Sequence, residues 1–341
     1  MSNQPRAANS FPSRTVTLIS SRSQKFVDVV LLILVNAMWA GQYAAYKTAT
    51  EAMGPITISV WTFLFAGIVL LPFFVRERRR SSRSNSPAHR SDSSFIKPRP
   101  SRWSRWNIAG FVIIGVFGLI PASAFLAWGT MRSTASNAAL IYLTIPIITA
   151  VLATLILGER MTRARWLSLF IALCGVLILS DIDWRHLDLV SGRYVLANLL
   201  VLLACISSSF YNVYSKGLLR HFSPLEVLLF GYAIAVAVSL PLLIWVEPLT
   251  LAQIWKYTAS VWFSIMILSV FSWGIAMVLW MFLLKRLDVS QASVSVYLLP
   301  FLGVLISALT LGEKITSTMI VGGLLTLAGT VLVTTSEASP A

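Results

Sequence analysis

Asn36, Trp39, Tyr43 and Tyr46, with Lys47 beside the last, recur at three- and four-residue steps through an otherwise apolar stretch. On an α-helix that spacing puts an amide, an indole, two phenols and an ammonium on one stripe. The pattern has a counterpart 169 residues later in Cys205, Ser208, Asn212, Ser215 and Lys216. Phe125 and Trp128, then Trp273, Met277 and Trp280, then Ser293 and Tyr297 add aromatic and polar groups at helical spacing. Such a set suits binding, in a pocket that is mostly apolar with a few polar anchors to orient a small organic molecule. Covalent chemistry has no comparable support, because G-x-x-x-x-G-K-[ST], H-E-x-x-H, G-x-S-x-G and C-x-x-C are all absent. His89, His186 and His221 lie in loops without neighbouring ligands. Neither a metal nor a cofactor is expected, and the chain does not read as an enzyme.

These residues belong to a chain that is 57% apolar and 12% charged, against about 45–50% and 25% in soluble domains. A helix crossing the ~30 Å hydrocarbon core needs about 20 mostly apolar residues. Ten stretches qualify: Phe26–Thr50, Ile56–Val75, Asn107–Thr130, Ser136–Leu157, Ala164–Ser180, Tyr194–Ser215, Leu225–Val246, Ala259–Leu284, Val289–Leu311 and Thr316–Thr335. Lipid offers the backbone no hydrogen-bond partner, so each is expected to be helical. A polar stripe in such a helix faces a cavity or another helix rather than lipid, and Asn, Ser and Tyr also join helices to one another. Pro121, Pro146 and Pro300 each remove a backbone hydrogen bond inside a span, which makes them candidate hinges or packing kinks. Trp103, Trp106, Trp184, Trp245 and Trp255 lie near span ends and read as interfacial anchors. Cys174 and Cys205 sit inside spans and imply no disulfide framework.

The spans fall into two copies. Ser136–Gly175 is echoed by Ser290–Gly329, pairing Pro146 with Pro300, Gly158-Glu159 with Gly312-Glu313 and Gly175 with Gly329 at one offset, 154 residues. Upstream, Lys47 and Lys216, Pro55 and Pro224, and Pro72 and Pro241 pair at 169. Self-similarity of this kind points to a transporter in a membrane chain. Lys and Arg collect on the cytoplasmic side of short loops. With the N-terminus inside, all of the 27 basic residues except Lys47, Arg132, Arg185, Arg193, Lys256 and Lys314 fall inside. Five spans per copy is an odd number, so the copies must enter the membrane in opposite orientations.

The expected architecture is an all-α integral membrane protein of ten transmembrane helices, arranged as two inverted five-helix repeats with both termini cytoplasmic. Its parts are a disordered basic tail over 1–25 and a first repeat over 26–180, which carries a basic cytoplasmic loop at 76–106. An extracytoplasmic linker at 181–193, a second repeat over 194–335 and a tail over 336–341 complete it. The run RERRRSSRS reads as an orientation signal and flexible linker that meets anionic lipid headgroups. No aromatic interleaving accompanies the charge, so no nucleic-acid binding is expected. Lys216, at a span boundary, is expected to extend its ammonium to the headgroups. Lys47, just inside its helix end beside the aromatic stripe, is expected to meet a substrate carboxylate at the outer mouth. None of the 13 acids lies in the middle third of a span, which favours uniport or exchange over ion coupling.

The W-A-G…Y-K pattern from Trp39 to Lys47, the P…L-G-E-[RK] at the ends of spans four and nine, and Gly322 with Gly329 in the last span resemble EamA-type carriers of the drug/metabolite transporter superfamily. The similarity covers about residues 28 to 335. Thr62 stands where such proteins usually have arginine, Ser208 where tryptophan is usual, and Ser168 where the first glycine of the span-five pair is usual. The resemblance implies a central cavity formed by spans one, three, four, six, eight and nine, in a plasma or inner membrane, and export or exchange of small organic metabolites. A nucleotide-sugar or phosphorylated-metabolite exchanger would need more cationic groups than Lys47 and Lys216. A membrane interaction protein acting through its basic loop is the alternative outside transport.

Overall fold

The computed structural model describes residues 14–84, 104–133, 135–179, 189, 192, 194–311 and 316–335. Helices α1 (Arg14–Thr50) and α2 (Pro55–Ser84) are followed by a third run made of α3 (Arg105–Ile113), a π-helical segment (Ile114–Leu119) and α4 (Ile120–Arg132). The fourth run breaks into α5 (Ala135–Tyr142) and α6 (Ile145–Leu152), closing on a π-helical turn (Ala153–Leu157), and α7 (Arg163–Leu179) follows. The second half contains α8 (Val195–Leu218), α9 (Pro224–Val246) and the short α10 (Leu251–Lys256). After it come α11 (Ala259–Ile267), a π-helical segment (Leu268–Ala276) and α12 (Met277–Arg286). Then α13 (Val289–Val294), a 3₁₀ turn (Ser295–Tyr297) and α14 (Leu298–Leu311) precede α15 (Ser317–Thr335). No strand occurs among the described residues.

Nine of these runs are long and apolar enough to cross a membrane, and α7, at 17 residues, is the shortest of the ten predicted ones. The first helix begins at Arg14, well before the predicted span start at Phe26, since no Gly or Pro interrupts residues 14–25. The basic loop beyond Ser84, the linker at 180–188, Gly312-Glu313 and both extreme termini lie outside the described residues.

Each of the three prolines stands in the first turn of a helical segment: Pro121 in α4, Pro146 in α6 and Pro300 in α14. At Pro146 the missing N–H has no intrahelical acceptor to forgo, and the chain restarts its helix there after the turn at Leu143-Thr144. At Pro121 and Pro300 the α-helix instead runs on from a π-helical and a 3₁₀ segment. The breaks also recur, since the π-helical segments begin at Ile114 and Leu268, 154 residues apart. The second has no proline behind it, so its position was not visible in the sequence.

The tightest helix pair is α7 against α15. A Cβ on Gly175 would stand 2.5 Å from the Thr326 nitrogen, and one on Gly329 would stand 2.7 Å from the Ser168 oxygen. Small residues let the two backbones touch. Thr326, Thr330 and Thr334 return their hydroxyls to the carbonyls four residues back, so no polar group is stranded in that contact. The largest buried cluster lies elsewhere, where α1, α2, the third run, α8, α9 and α12 converge around Phe63, Tyr232 and Trp280.

Candidate functional site

The stripe on α1 meets aromatic groups of the eighth run. Trp39 packs 5.2 Å from Trp280 between ring centroids, and the buried Trp280 indole donates to the Asn212 side-chain oxygen at 2.9 Å. Two turns up α1, the Trp273 indole donates to the Tyr46 hydroxyl at 3.1 Å, while Tyr232 donates to the Trp273 carbonyl at 2.6 Å. Phe63 completes this second group, edge-on to Trp273 at 4.9 Å and stacked on Tyr232 at 5.3 Å. Ser272 donates to the Gln42 side-chain oxygen. The α-to-π transition places Trp273 within the bulge and Trp280 in the regular helix beyond it. Such π-bulges re-aim side chains and recur at functional sites.

Asn36 ties this wall to the broken helix. Its amide nitrogen donates to Leu32 O at 2.8 Å and Ser295 Oγ at 2.9 Å, whereas its Oδ1 is buried with no hydrogen-bond partner. A buried acceptor without a donor is costly. It is a place where an incoming N–H or O–H gains more than it would on the surface. Asn212→Leu is expected to strand the Trp280 indole in the same way, lowering stability by about 1–3 kcal/mol. Weakened substrate affinity with a smaller change in maximal rate should accompany it in an uptake or efflux titration.

Other predicted residues are placed differently. Tyr297 donates to Leu143 O at 2.8 Å, so the 3₁₀ turn of one broken helix rests on the break of the other, and these two positions are themselves 154 apart. Ser293 is buried and bonds Ser290 O at 3.0 Å. Phe125 and Trp128 stand 6.3 Å apart, and Trp128 packs on a separate cluster around Ile56, Val60, Ala124 and Leu243. Ser208 is half-buried one turn before Asn212. The side chains of Tyr43 and Lys47 lie outside the described residues. Gln42, Phe63, Tyr232 and Ser272 were missed. A signal existed for two of them, since Phe63 and Tyr232 are related by the 169 offset and would have been paired by it.

An ionic cluster at one end of the bundle was also missed. Gly158 takes a left-handed conformation, φ 73°, which ends the fourth run and turns Glu159 across the bundle. The Glu159 carboxylate then accepts from Val289 N at 2.7 Å, Ser290 N at 3.0 Å and Ser290 Oγ at 2.6 Å, capping α13. A carboxylate there satisfies orphan N–H groups and meets the positive end of the helix dipole. Beside it Arg165, 1% exposed, pairs with Asp288 at 2.5 Å and donates to Arg160 O at 3.1 Å. Lys216 does not extend to the headgroups as expected. Its ammonium donates to Leu284 O at 2.5 Å and Leu287 O at 2.8 Å, where the end of α12 leaves carbonyls unsatisfied. Asp28 with Arg286 at 2.9 Å, and Lys25 on Thr335 O at 2.8 Å, link the halves nearby.

Two further contacts exchange under the 169 offset. Glu247, after α9, caps α2 at Ile56 N, Thr57 N and Thr57 Oγ, while Arg78, near the end of α2, meets Glu226 in the first turn of α9 at 3.9 Å. Residues 57 and 226, and 78 and 247, are the paired positions. Tyr257, near Glu247, has its phenol raised above its ordinary pKa, first by partial burial and then by that carboxylate.

The sequence model of the EamA-like transporter family matches residues 28–181 and 195–335. A probable terminal-alkyne amino-acid exporter of Streptantibioticus cattleyicolor is 24% identical over 307 residues, 89% of this chain and 91% of that one. The uncharacterized transporter YoaV of Bacillus subtilis is 24% identical over 304 residues, 89% of this chain and 95% of its own length. One solved crystal structure superposes with a TM-score of 0.68 at 19% identity, covering 91% of this chain and 98% of that one, a likeness of fold.

Proposed function

Because the chain belongs to the EamA-like transporter family, we propose that it is a secondary carrier that moves a small organic metabolite, an amino acid or an aromatic or amphipathic compound, outward by alternating access. In this reading ten spans form two inverted five-helix repeats in the plasma or inner membrane, with both termini cytoplasmic. The recurrence of the π-helical segments at 154 residues and the exchange-related caps at 169 support the repeat. The observation that carries the proposal is the paired aromatic and amide wall of Trp39, Trp280, Asn212, Tyr46 and Trp273, set against Asn36 with its unpartnered oxygen. Rings supply apolar contact area, and a few polar atoms fix orientation. The name of the Streptantibioticus relative supports the amino-acid class. Pro121, Pro146 and Pro300, where the helix changes type or breaks, are the proposed hinges.

A metabolite-resolved efflux assay in cells expressing the protein tests this directly, with Trp280→Ala as the inactive comparison. Deleting Ser81 to Pro100 should leave efflux within about twofold of the parent, since the loop serves orientation rather than passage. Loss of a compound's export on deleting the loop, with Trp280→Ala behaving as the parent, would instead make the basic loop the functional part.

A further inference from the structure

Beyond transport, the end of α2 carries an arrangement that no contact among the described residues explains. Pro72, Val75, Arg76, Arg79 and Arg80 follow one another at steps of three and one, the repeat of a single helical face, and with Leu71 they line one open groove. Its lower wall is apolar and exposed, with Leu71 at 50% and Val75 at 39%, continuing the exposed side chain of Ile68. Its upper rim is three exposed guanidinium groups. Among the described residues none of the three takes part in an ion pair. The neighbouring Arg78 points elsewhere, to Glu226 at 3.9 Å and over the Phe74 ring at 5.3 Å. The nearest acid in sequence, Glu77, is about 100° around the helix from Arg76 and about 160° from Arg79, and lies closest to Arg80, at about 60°.

We propose that this groove is a binding site for an anionic phospholipid, with an acyl chain along Leu71, Pro72 and Val75 and the phosphate held by Arg76 and Arg79, with Arg80 closing the rim. Guanidinium groups grip phosphate through paired N–H donors. Each basic side chain at an anionic leaflet adds to the attraction. A free phosphate would use the arginines and leave the apolar wall bare, so the continuous apolar stripe selects a lipid.

Native mass spectrometry of the purified full-length protein tests this with phosphatidylglycerol, with phosphatidylcholine of the same acyl chains, and with glycerol 3-phosphate as the headgroup alone. Phosphatidylglycerol should be preferred over phosphatidylcholine by about tenfold or more. The Arg76→Gln/Arg79→Gln/Arg80→Gln variant should lose the preference, whereas Lys285→Gln, elsewhere on the surface, should keep it. If the glutamine variant fails to insert, the triple lysine variant, which preserves charge, should retain a preference of only about threefold, because paired donation is lost. An unchanged preference in whichever triple variant inserts overturns the proposal. So does competition by glycerol 3-phosphate at concentrations equal to the lipid, which would make the site one for free phosphate. None of these readouts depends on what the carrier transports.

Discussion

Asp288→Ala is expected to destabilise the protein by about 3–5 kcal/mol, because it strips the carboxylate from a guanidinium that has almost no access to solvent. Arg165 is 1% exposed and donates to Arg160 O at 3.1 Å, a neutral carbonyl that does not replace the carboxylate's charge. The thermal midpoint in detergent should drop by on the order of 5–10 °C. Asp288 also begins α13 in a capping box with Gln291, and a lost cap costs about 1 kcal/mol. Asp288→Ser separates the two roles, since it keeps a capping oxygen and removes the charge; it should still lose most of the stability. The Arg165→Met/Asp288→Leu double variant should melt above Asp288→Ala, since no buried charge is then stranded. Equal midpoints for the two would sink the stranded-charge account.

Both partners of that pair were visible as letters and hidden as a pair. Arg165 counts among the basic residues that orient the chain, and charge counting treats an arginine in the headgroups and one in the core alike. Its burial follows from Asp288, 123 residues away, and no local pattern links them. The long apolar helices were legible because lipid demands them, and their ends agree with the prediction to within a few residues except at Arg14 and at Ser84, where α2 continues nine residues past Val75 through the basic run read as a flexible linker. The breaks at Pro146 and Pro300 were legible because proline has no N–H to donate. The π-helical segment at Leu268–Ala276 was not, since π geometry there follows from packing and no residue type announces it. Within the candidate site, Asn36, Trp39, Tyr46, Asn212, Trp273 and Trp280 could be read from helical spacing. Phe63 and Tyr232 could have been found only by carrying the repeat offset into apolar spans, where aromatic residues pass for packing.

Glu159→Ala should shift the balance between the two access states of the proposed carrier by about 10²-fold. The Glu159 carboxylate receives three donors from Val289 and Ser290, at the start of the second half's broken helix. Hydrogen bonds to a charged group are worth about 1.5–3 kcal/mol each, and they do not add fully. A net loss of ~3 kcal/mol corresponds to that population change. Because the bonds join the end of one broken helix to the start of the other, in the proposed alternating-access cycle they hold only while this end of the bundle is closed. With them gone, the state open at this end gains. Ser293 is fully buried one turn along α13. A Ser293→Cys reporter, in a chain lacking Cys174 and Cys205, should therefore react with a membrane-impermeant maleimide in inside-out vesicles far faster when Glu159 is alanine. Glu159→Gln keeps one oxygen acceptor without the charge and should fall between the two. Efflux should slow in the same order, since a carrier held open on one side completes fewer cycles. Labelling that stays slow in Glu159→Ala while the protein remains folded would show that the cap is a static fixture of the helix, because a contact common to both access states cannot bias the equilibrium between them.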